Sequence, residues 1–529
     1  MRPEVLSREQ VQAWEQRWFA AGNSSYGLMQ QAAWQMMQHI VQYIGTLKQA
    51  QGTWPVTAPA TEQLRAAVSI GVWCGAGNNG GDGWLLAAYL KHSGFGVWVY
   101  EVEPPQTDIA KQAKAYAMLQ PIEVYGACHP LSIIHLQHTS IQVDALFGIG
   151  LNREIQTVYR AAIQQFNQCC GYKVALDVPS GIEANTGAVL GAACQVDLTL
   201  TVLAYKAGLL TGQGKAYAGQ LKLIELIPPN HTVTPLAFVD LQAPILPKRS
   251  KTGHKGTYGH VLIIGGDENM GGASIMSAEA ALASGAGKVT LLTHAKHHSA
   301  AISRCPNVMT LAMPAVDKIT PEFAAQIGQS MDCIVIGMGL GRHDWGKAVW
   351  EAFLPLLEQA KTIKHVVIDA DALWHLSADH LANEPQPAPM QSELHQHWYL
   401  TPHSGEAARL LDMTVSAIEQ DRIAAIYALQ EKFGGNWLLK GAGSLSLDSV
   451  NDAGLSICGL GNPGMATAGM GDILAGMAGG LLAQLPDLPL HDIVALHAAA
   501  GDLLAQNGER GLQATEMFEV IKQVVNQVS

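Results

Sequence analysis

Charge is scarce in this 529-residue chain: charged residues make up 14% and hydrophobic ones 48%, which excludes a disordered, solvating polypeptide. That composition fits globular α/β enzymes with buried parallel sheets. Basic residues are in deficit, with 32 Lys and Arg against 44 Asp and Glu and a formal charge of -12, so no nucleic-acid-binding surface is expected. Phosphate ligands remain compatible with that balance where helix ends hold them locally. No apolar run approaches the ~20 residues of a membrane span, and Met1-Arg-Pro-Glu-Val-Leu lacks a signal-peptide core. The chain is therefore expected to be soluble and cytoplasmic. Its eight cysteines are scattered with no C-x-x-C pair, so neither a zinc site nor a disulfide framework is indicated. The cluster His294, His297 and His298 has no carboxylate or Cys at ligand spacing and reads as a solvated loop.

What is abundant is glycine in loops that meet helices. Gly459-Leu-Gly-Asn-Pro-Gly-Met-Ala-Thr-Ala-Gly-Met-Gly-Asp472 runs into the apolar helix Ile473-Leu-Ala-Gly-Met-Ala. A helix start presents unpaired N–H groups and a partial positive charge, so Gly469-Met-Gly471 can cradle an anion, with Asp472 beside it as a general base. A bare helix cap is the competing reading for such an Asp, but the loop is too long and too Gly-rich for a cap alone.

A second such loop lies upstream. Ala67-Val-Ser-Ile-Gly-Val-Trp-Cys74 reads as a buried strand, Gly75-Ala-Gly-Asn-Asn-Gly-Gly-Asp-Gly83 as a loop, and Trp84-Leu-Leu-Ala-Ala-Tyr-Leu90 as a helix. Gly75, Gly77 and Gly80 fit G-x-G-x-x-G, and Glu101 stands roughly where a ribose-binding acid is expected. Asp82 argues against an ordinary dinucleotide loop, because a carboxylate there would repel a pyrophosphate. Asn78, Asn79 and Asp82 suit a polar ligand group or a cation better.

The length implies two domains. Prolines in Leu226-Ile-Pro-Pro-Asn-His-Thr-Val-Thr-Pro235 mark the boundary, so the first domain is expected over 1–228, an extended connector over 229–247 and the second domain over 248–529. Strand-like runs at Val97–Val102, Ile141–Leu146, Lys173–Leu176 and Asp197–Leu203 alternate with helix-length segments, which implies a doubly wound parallel sheet. Ser25–Ile44, with Met and Trp at helical spacing, reads as a core or dimer-interface helix. Asn79, Asp144, Asp177 and Ser180 fall at carboxyl ends of strands, where such sheets bind ligands. Each Asp alone is more often a turn residue; together they point to one pocket.

Gly75–Gly83, Gly148-Ile-Gly-Leu-Asn-Arg-Glu154, Asp177-Val-Pro-Ser-Gly-Ile182 and Lys206-Ala-Gly-Leu-Leu-Thr-Gly212 together resemble the NAD(P)HX epimerase family, whose fold is Rossmann-like. The resemblance implies that Asn78, Asn79, Gly80, Gly81 and Asp82, with Gly148, Ile149, Gly150, Leu151, Asn152, Arg153 and Glu154, contact the hydrated nucleotide. It further implies that Asp177 is the acid/base residue and that Asn79, Asp144 and Ser180 hold a potassium ion. Glu183 stands where the family more often has Asp, a departure that touches only the local loop.

The second domain repeats strand-to-glycine transitions at Gly259–Gly266, Asp332–Gly341, His365–Asp371 and Trp437–Gly443. With the Asp472 loop it resembles the ribokinase-like, ADP-dependent NAD(P)HX dehydratases, the usual fusion partner of the epimerase. That resemblance puts Ala273, Gly339 and His403 near the hydrated nicotinamide, and Lys440, Gly441, Ala442, Gly443 and Ser444 with Gly471 near the adenine nucleotide. Asp472 would be the base, ADP the co-substrate and Mg²⁺ the neutralising ion. Ser444 replaces the commoner Thr and keeps the hydroxyl. A homo-oligomer acting on hydrated NADH and NADPH, with no membrane or nucleic-acid partner, is the expectation. A ribokinase-like small-molecule kinase fused to a nucleotide-binding domain is the alternative, since the Asp472 loop suits phosphotransfer to a hydroxyl equally well; a third reading makes the first domain a non-catalytic ligand-binding module.

Overall fold

In the computed structural model, the described residues are 2–50, 65, 68–126, 131, 133–155, 157–228, 233–358, 363–382, 395–448 and 454–527. The chain divides into two compact units, Pro3–Leu236 and Ala237–Ser529, the second joined by Arg2. Residues 229–232 of the expected connector lie outside the described residues. The remainder of that segment differs from an extended linker, because Ala237–Asp240 is a strand of the second unit: Phe238, Val239 and Asp240 register with Ser456, Ile457 and Cys458.

The first unit holds strands β1 Ser69–Cys74, β2 Gly96–Glu101, β3 Glu123–Tyr125, β4 Ile141–Ala145, β5 Tyr172–Leu176, β6 Leu198–Val202 and β7 Gln220–Ile224. They form one parallel sheet in the order β3-β2-β1-β4-β5-β6-β7. The reversal of order between β1 and β4 is the switch point at which Rossmann-like sheets open a ligand crevice. Val72, Val143 and Val174 lie across its centre, each buried, because helices cover both faces and the strands read as continuous apolar runs. The helix Ser25–Ala50 buries Met29, Ala33, Met36 and Ile40 in this core, which settles its inward face as core.

The helix after β1 starts at Asn78 rather than near Trp84. Close packing explains the early start: a Cβ on Gly80 would stand 1.9 Å from the Gly75 carbonyl oxygen, and one on Gly75 would stand 2.0 Å from that of Leu146. Asn78, Asn79 and Asp82 therefore occupy the first turns of a helix.

The second unit's strands are β8 Ala237–Asp240, β9 His260–Ile264, β10 Lys288–Thr293, β11 Met309–Ala312, β12 Cys333–Ile336, β13 His365–Ile368, β14 Trp398–Leu400, β15 Asn436–Leu439, β16 Leu445–Asp448 and β17 Gly454–Cys458. Their order is β8-β17-β16-β15-β14-β13-β12-β9-β10-β11, with β16 antiparallel to both neighbours and every other pair parallel. Two glycine-rich helices, Gly271–Ala283 and Met470–Gln484, pack together so closely that a Cβ on Gly476 would stand 2.0 Å from the Ser277 carbonyl oxygen. Their small residues let backbones meet where larger side chains would hold them apart. The His294–His298 cluster forms the helical turn Ala295–His297 and the start of His298–Arg304 instead of an open loop, and His297 Nε2 lies 2.6 Å from the Asp267 carbonyl oxygen. No helix of the described residues is long and apolar enough to cross a membrane.

Candidate functional sites

In the first unit a cavity of about 1020 Å³ opens at the carboxyl ends of the strands. Asn78, Asn79 and Asp82 line it, as do Gly148, Ile149, Gly150, Leu151, Asn152, Arg153 and Glu154, and Asp177. Gly80 and Gly81 are buried within the helix and give the backbone its close approach rather than a wall. Glu101 does not join the cavity; it pairs with Lys114 at 2.5 Å, so the ribose role is not supported there.

Asp177 follows β5 with φ at 67°, a left-handed conformation uncommon for a residue with a side chain. Three donors fix its carboxylate: Lys206 Nζ at 2.5 Å and the Val202 N–H at 3.4 Å reach Oδ1, and the Ile149 N–H at 3.4 Å reaches Oδ2. Lys206 is wholly buried and donates as well to Thr201 Oγ1 and the Val202 carbonyl. A buried ammonium needs such partners, since its desolvation otherwise outweighs its pairing. Lys206 lies inside the family motif, yet the sequence alone gives it no role.

Asp144 and Ser180 sit behind the cavity wall. Ser180 donates through Oγ to Asp144 Oδ1 at 2.6 Å and through its N–H to Oδ2 at 2.7 Å. Burial raises the Asp144 carboxyl, while the Ser180 and Leu146 donors pull it back. Ser180 Oγ also accepts from the Phe147 N–H at 2.8 Å, and a Cβ on the next residue, Gly148, would stand 3.4 Å from the Asn79 Cβ. Asp144 and Ser180 are thus tied to Phe147, with Asn79 facing the neighbouring Gly148. The Asn79 Nδ2 atom is buried with no hydrogen-bond partner among the described residues, which marks a polar end open to a ligand.

Two of the cavity's carboxyl groups are pushed upward. Burial, reinforced by Asp177 and Glu15, pushes Asp82 well up. Glu15, from the helix Arg8–Ala20, is pushed up to about 7 by burial and then by the Asp177 carboxylate, against the opposing pull of Lys206. No sequence signal singles out Glu15, because its helix precedes the motif-bearing core.

In the second unit the helix bearing Asp472 starts at Met470, three residues before the apolar run, because Gly469 turns the chain with φ at 95°. Gly471 and Asp472 thus lie in its first turn. Across from them Lys440 Nζ meets Asp369 Oδ1 at 2.7 Å, and a Cβ on Gly471 would stand 3.3 Å from that ammonium. Asp472 is pushed up to about 7, first by burial and then by the Asp369 carboxylate, against the pull of Lys440. Burial pulls Lys440 down, yet the facing Asp369 and Glu406 carboxylates outweigh it and hold it above its ordinary value.

His403 caps the helix Ser404–Leu411: its Nδ1 accepts from the Gly405 and Glu406 N–H groups, and Glu406 Oε2 accepts from the His403 N–H at 2.9 Å. The cap turns its exposed ring edge outward beside Glu406, whose carboxyl burial raises. Gly339, with φ at 62°, packs on Met270, the residue that begins the helix carrying Ala273. Ser444 closes the Lys440 loop, its Oγ accepting from the Gly441 N–H at 3.3 Å, with Ala442 and Gly443 at its tip. Arg422, fully buried, donates to the Leu439 and Lys440 carbonyls and to Ser404 Oγ, tying the Lys440 loop to the His403 helix. Asp369 lies inside the His365–Asp371 strand end without a role assigned to it from sequence, and Arg422 stands in no motif.

Residues 261–523 match the family described as NAD(P)H-hydrate dehydratase, and residues 25–208 match the family described as YjeF-related protein N-terminus. The bifunctional NAD(P)H-hydrate repair enzyme Nnr of Coxiella burnetii is 39% identical over 472 residues, 87% of this chain and 91% of that protein. The Escherichia coli enzyme of the same name is 35% identical over 468 residues, 86% of this chain and 84% of that protein. Among solved structures, a ribokinase-like superfamily protein from Enterococcus faecalis is 28% identical and covers 53% of this chain and 91% of its own, with a TM-score of 0.46. The ADP/ATP-dependent NAD(P)H-hydrate dehydratase of Bacillus subtilis, co-crystallised with ATP and Mg²⁺, is 26% identical and covers 54% of this chain and 98% of its own, with a TM-score of 0.43. With likeness of this extent running through both units, the chain belongs to the bifunctional NAD(P)H-hydrate repair enzymes.

Proposed function

We propose that this chain repairs hydrated NADH and NADPH, the unit Pro3–Leu236 exchanging the R and S epimers and the unit Ala237–Ser529 dehydrating the S epimer with ADP. The observation that carries the reading is the presence, in one chain, of two separately built carboxylate sites: Asp177 on a nucleotide-sized cavity and Asp472 at a glycine-opened helix start.

In the first unit the helix start from Asn78 to Asp82 and the loop from Gly148 to Glu154 bind the hydrated nucleotide, and Asp177 moves a proton at the C6 hydroxyl. The amide of Asn79, the carboxylate of Asp144 and Ser180 form a set of hard oxygen donors suited to potassium, which would supply a fixed positive charge at the cavity floor. The buried, unpartnered end of the Asn79 amide supports that reading, since the amide can turn its oxygen to the same spot.

In the second unit Ala273, Gly339 and His403 hold the hydrated nicotinamide, while Lys440, Gly441, Ala442, Gly443 and Ser444 with Gly471 hold the adenine nucleotide. Asp472 takes the C6 hydroxyl proton as that oxygen attacks the terminal phosphorus of ADP, and AMP departs. The N1 lone pair then expels phosphate from C6, and loss of a C5 proton leaves the dihydronicotinamide. A carboxyl held near neutrality is matched to that proton transfer at physiological pH. Among the described residues no group of three His, Cys, Asp or Glu side chains is placed to hold a metal, which suits Mg²⁺ arriving on the nucleotide phosphates, where it neutralises charge. Repair of these nucleotides belongs where they circulate, in the cytoplasm, and a homo-oligomer is the assembly proposed.

Chromatography of the hydrated NADPH epimers, with and without ADP, tests the whole reading. ADP-dependent recovery of NADPH from both epimers is the expected result. A stable phosphorylated organic product would favour the kinase alternative, and no exchange of epimers in the absence of ADP would remove the first activity.

A further inference from the structure

Inverting C6 of the hydrate requires a hydroxyl to leave one face of the ring and water to add to the other. One proton must be given and one taken, and a single carboxylate fixed in one place serves one face well. The first unit's cavity holds a second carboxyl group from a different element. Glu15 comes from the helix Arg8–Ala20 and Asp177 from the end of β5, and both line the same cavity.

Their surroundings differ in kind. Lys206, the Val202 N–H and the Ile149 N–H all donate to Asp177, which is thereby arranged as a proton acceptor. Among the described residues none donates a hydrogen bond to Glu15, and its charge neighbours are Asp177 and Lys206, with Asp82 on the same cavity. An unsupported carboxyl facing two others is arranged to keep its proton. One carboxylate held by three donors and one carboxyl with none, on the same cavity, are placed to serve as base and acid.

We propose that Glu15 and Asp177 form the acid–base pair of the epimerisation, sharing one proton that changes sides at each turnover. The inference rests on the assignment of epimerase activity to this unit. In one direction the C6–O bond breaks as the N1 lone pair forms a C6=N1 iminium, and the hydroxyl leaves as water with the Glu15 proton. Water then adds at the other face: its oxygen bonds to C6, the C6=N1 electron pair returns to N1, and Asp177 takes the released proton. The pair now carries its proton on Asp177, and the reverse reaction returns it to Glu15. The active form is the pair with its proton on Glu15 in one direction and on Asp177 in the other.

The test is epimer exchange by the full chain across pH for wild type, Glu15→Gln, Glu15→Asp and Asp82→Asn, with ADP-dependent dehydration of the S epimer, substrate affinity by calorimetry and thermal melting measured on the same preparations. Wild-type exchange should fall as pH rises through about 7, where Glu15 loses its proton. Glu15→Gln keeps the shape and removes the exchangeable acid; exchange should drop about 10²–10⁴-fold and lose its alkaline limb, with affinity, melting and dehydration retained. Glu15→Asp should recover part of the rate and the limb with it. Asp82→Asn should keep the limb. Wild-type exchange rates in Glu15→Gln overturn the pairing, as does a limb that vanishes in Asp82→Asn while persisting in Glu15→Gln. A wild-type protein that exchanges no epimers fails the underlying assignment instead.

Discussion

Each unit sets a lysine against an aspartate at a strand end, and the two pairs are used in opposite ways. In the first unit Lys206 is fully buried and its partner Asp177 is itself on the cavity wall. In the second, Lys440 keeps 19% of its side chain exposed, its partner Asp369 is 2% exposed, and the carboxyl on the helix start is a third residue, Asp472. In the proposed reading the first lysine orients the reacting group, whereas the second is itself the reachable cation, fit for phosphate, beside a carboxyl that burial and Asp369 push up to about 7. On the proposed function, the same pair of residue types yields a positioned acid/base in one case and an anion site with an adjacent base in the other, depending on which partner faces the opening.

The sharpest way to separate the two sites is to disable each carboxyl in turn. Asp472→Asn should lower ADP-dependent dehydration about 10²–10⁴-fold with ADP binding and epimer exchange intact, and Asp177→Asn should lower exchange by a similar factor while the S epimer is still consumed. Kinetics of both reactions and ADP calorimetry on each variant check this; a variant that damaged both reactions would show the sites to be coupled. Asp177→Asn with wild-type exchange would return Asp177 to the status of a turn residue.

Next in size is the effect of the partly buried Lys440 on its neighbour. A base must be deprotonated, so wild-type dehydration should rise with pH through about 7. Lys440→Gln removes the cation that holds Asp472 down and should move that rise up by ~1 pH unit or more, besides weakening ADP binding. A pH–rate profile at saturating ADP decides it, and an unmoved midpoint would uncouple the two residues.

Asp144→Ala should leave Asp177 in place but raise the potassium concentration needed for exchange about tenfold or more, a loss that added potassium reverses if ion affinity is what Asp144 supplies. A potassium titration of the exchange rate reads this directly. The smallest effect is on packing alone. Gly476→Ala would put a Cβ 2.0 Å from the Ser277 carbonyl oxygen, and such overpacking costs about 1–3 kcal/mol, visible as a lowered unfolding midpoint.

The strand-to-glycine junctions are legible in sequence because apolar runs and glycine turns are local signals, and they locate Asp177, Asp144, Ser180 and Asp472. The helices at Asn78 and Met470 start several residues before the local pattern places them, since glycine inside a helix argues against helix locally while tertiary packing demands it there. The partners are harder to see. Lys206 is 29 residues from Asp177, and Lys440 is 71 from Asp369, so only the folded sheet brings them together. Glu15 lies in a helix whose pattern shows no chemistry at all. The strand Ala237–Asp240 is hidden because prolines on both sides give its segment the look of a linker.

The left-handed backbone at Asp177 means that glycine would sit more comfortably at this position. Asp177→Gly would relieve roughly 1–2 kcal/mol of conformational strain, but it would also strand Lys206 without its carboxylate. The lysine thus acts as a guard: drift toward the relaxed glycine leaves an ammonium buried and without its countercharge, so the fold itself penalises loss of the carboxylate.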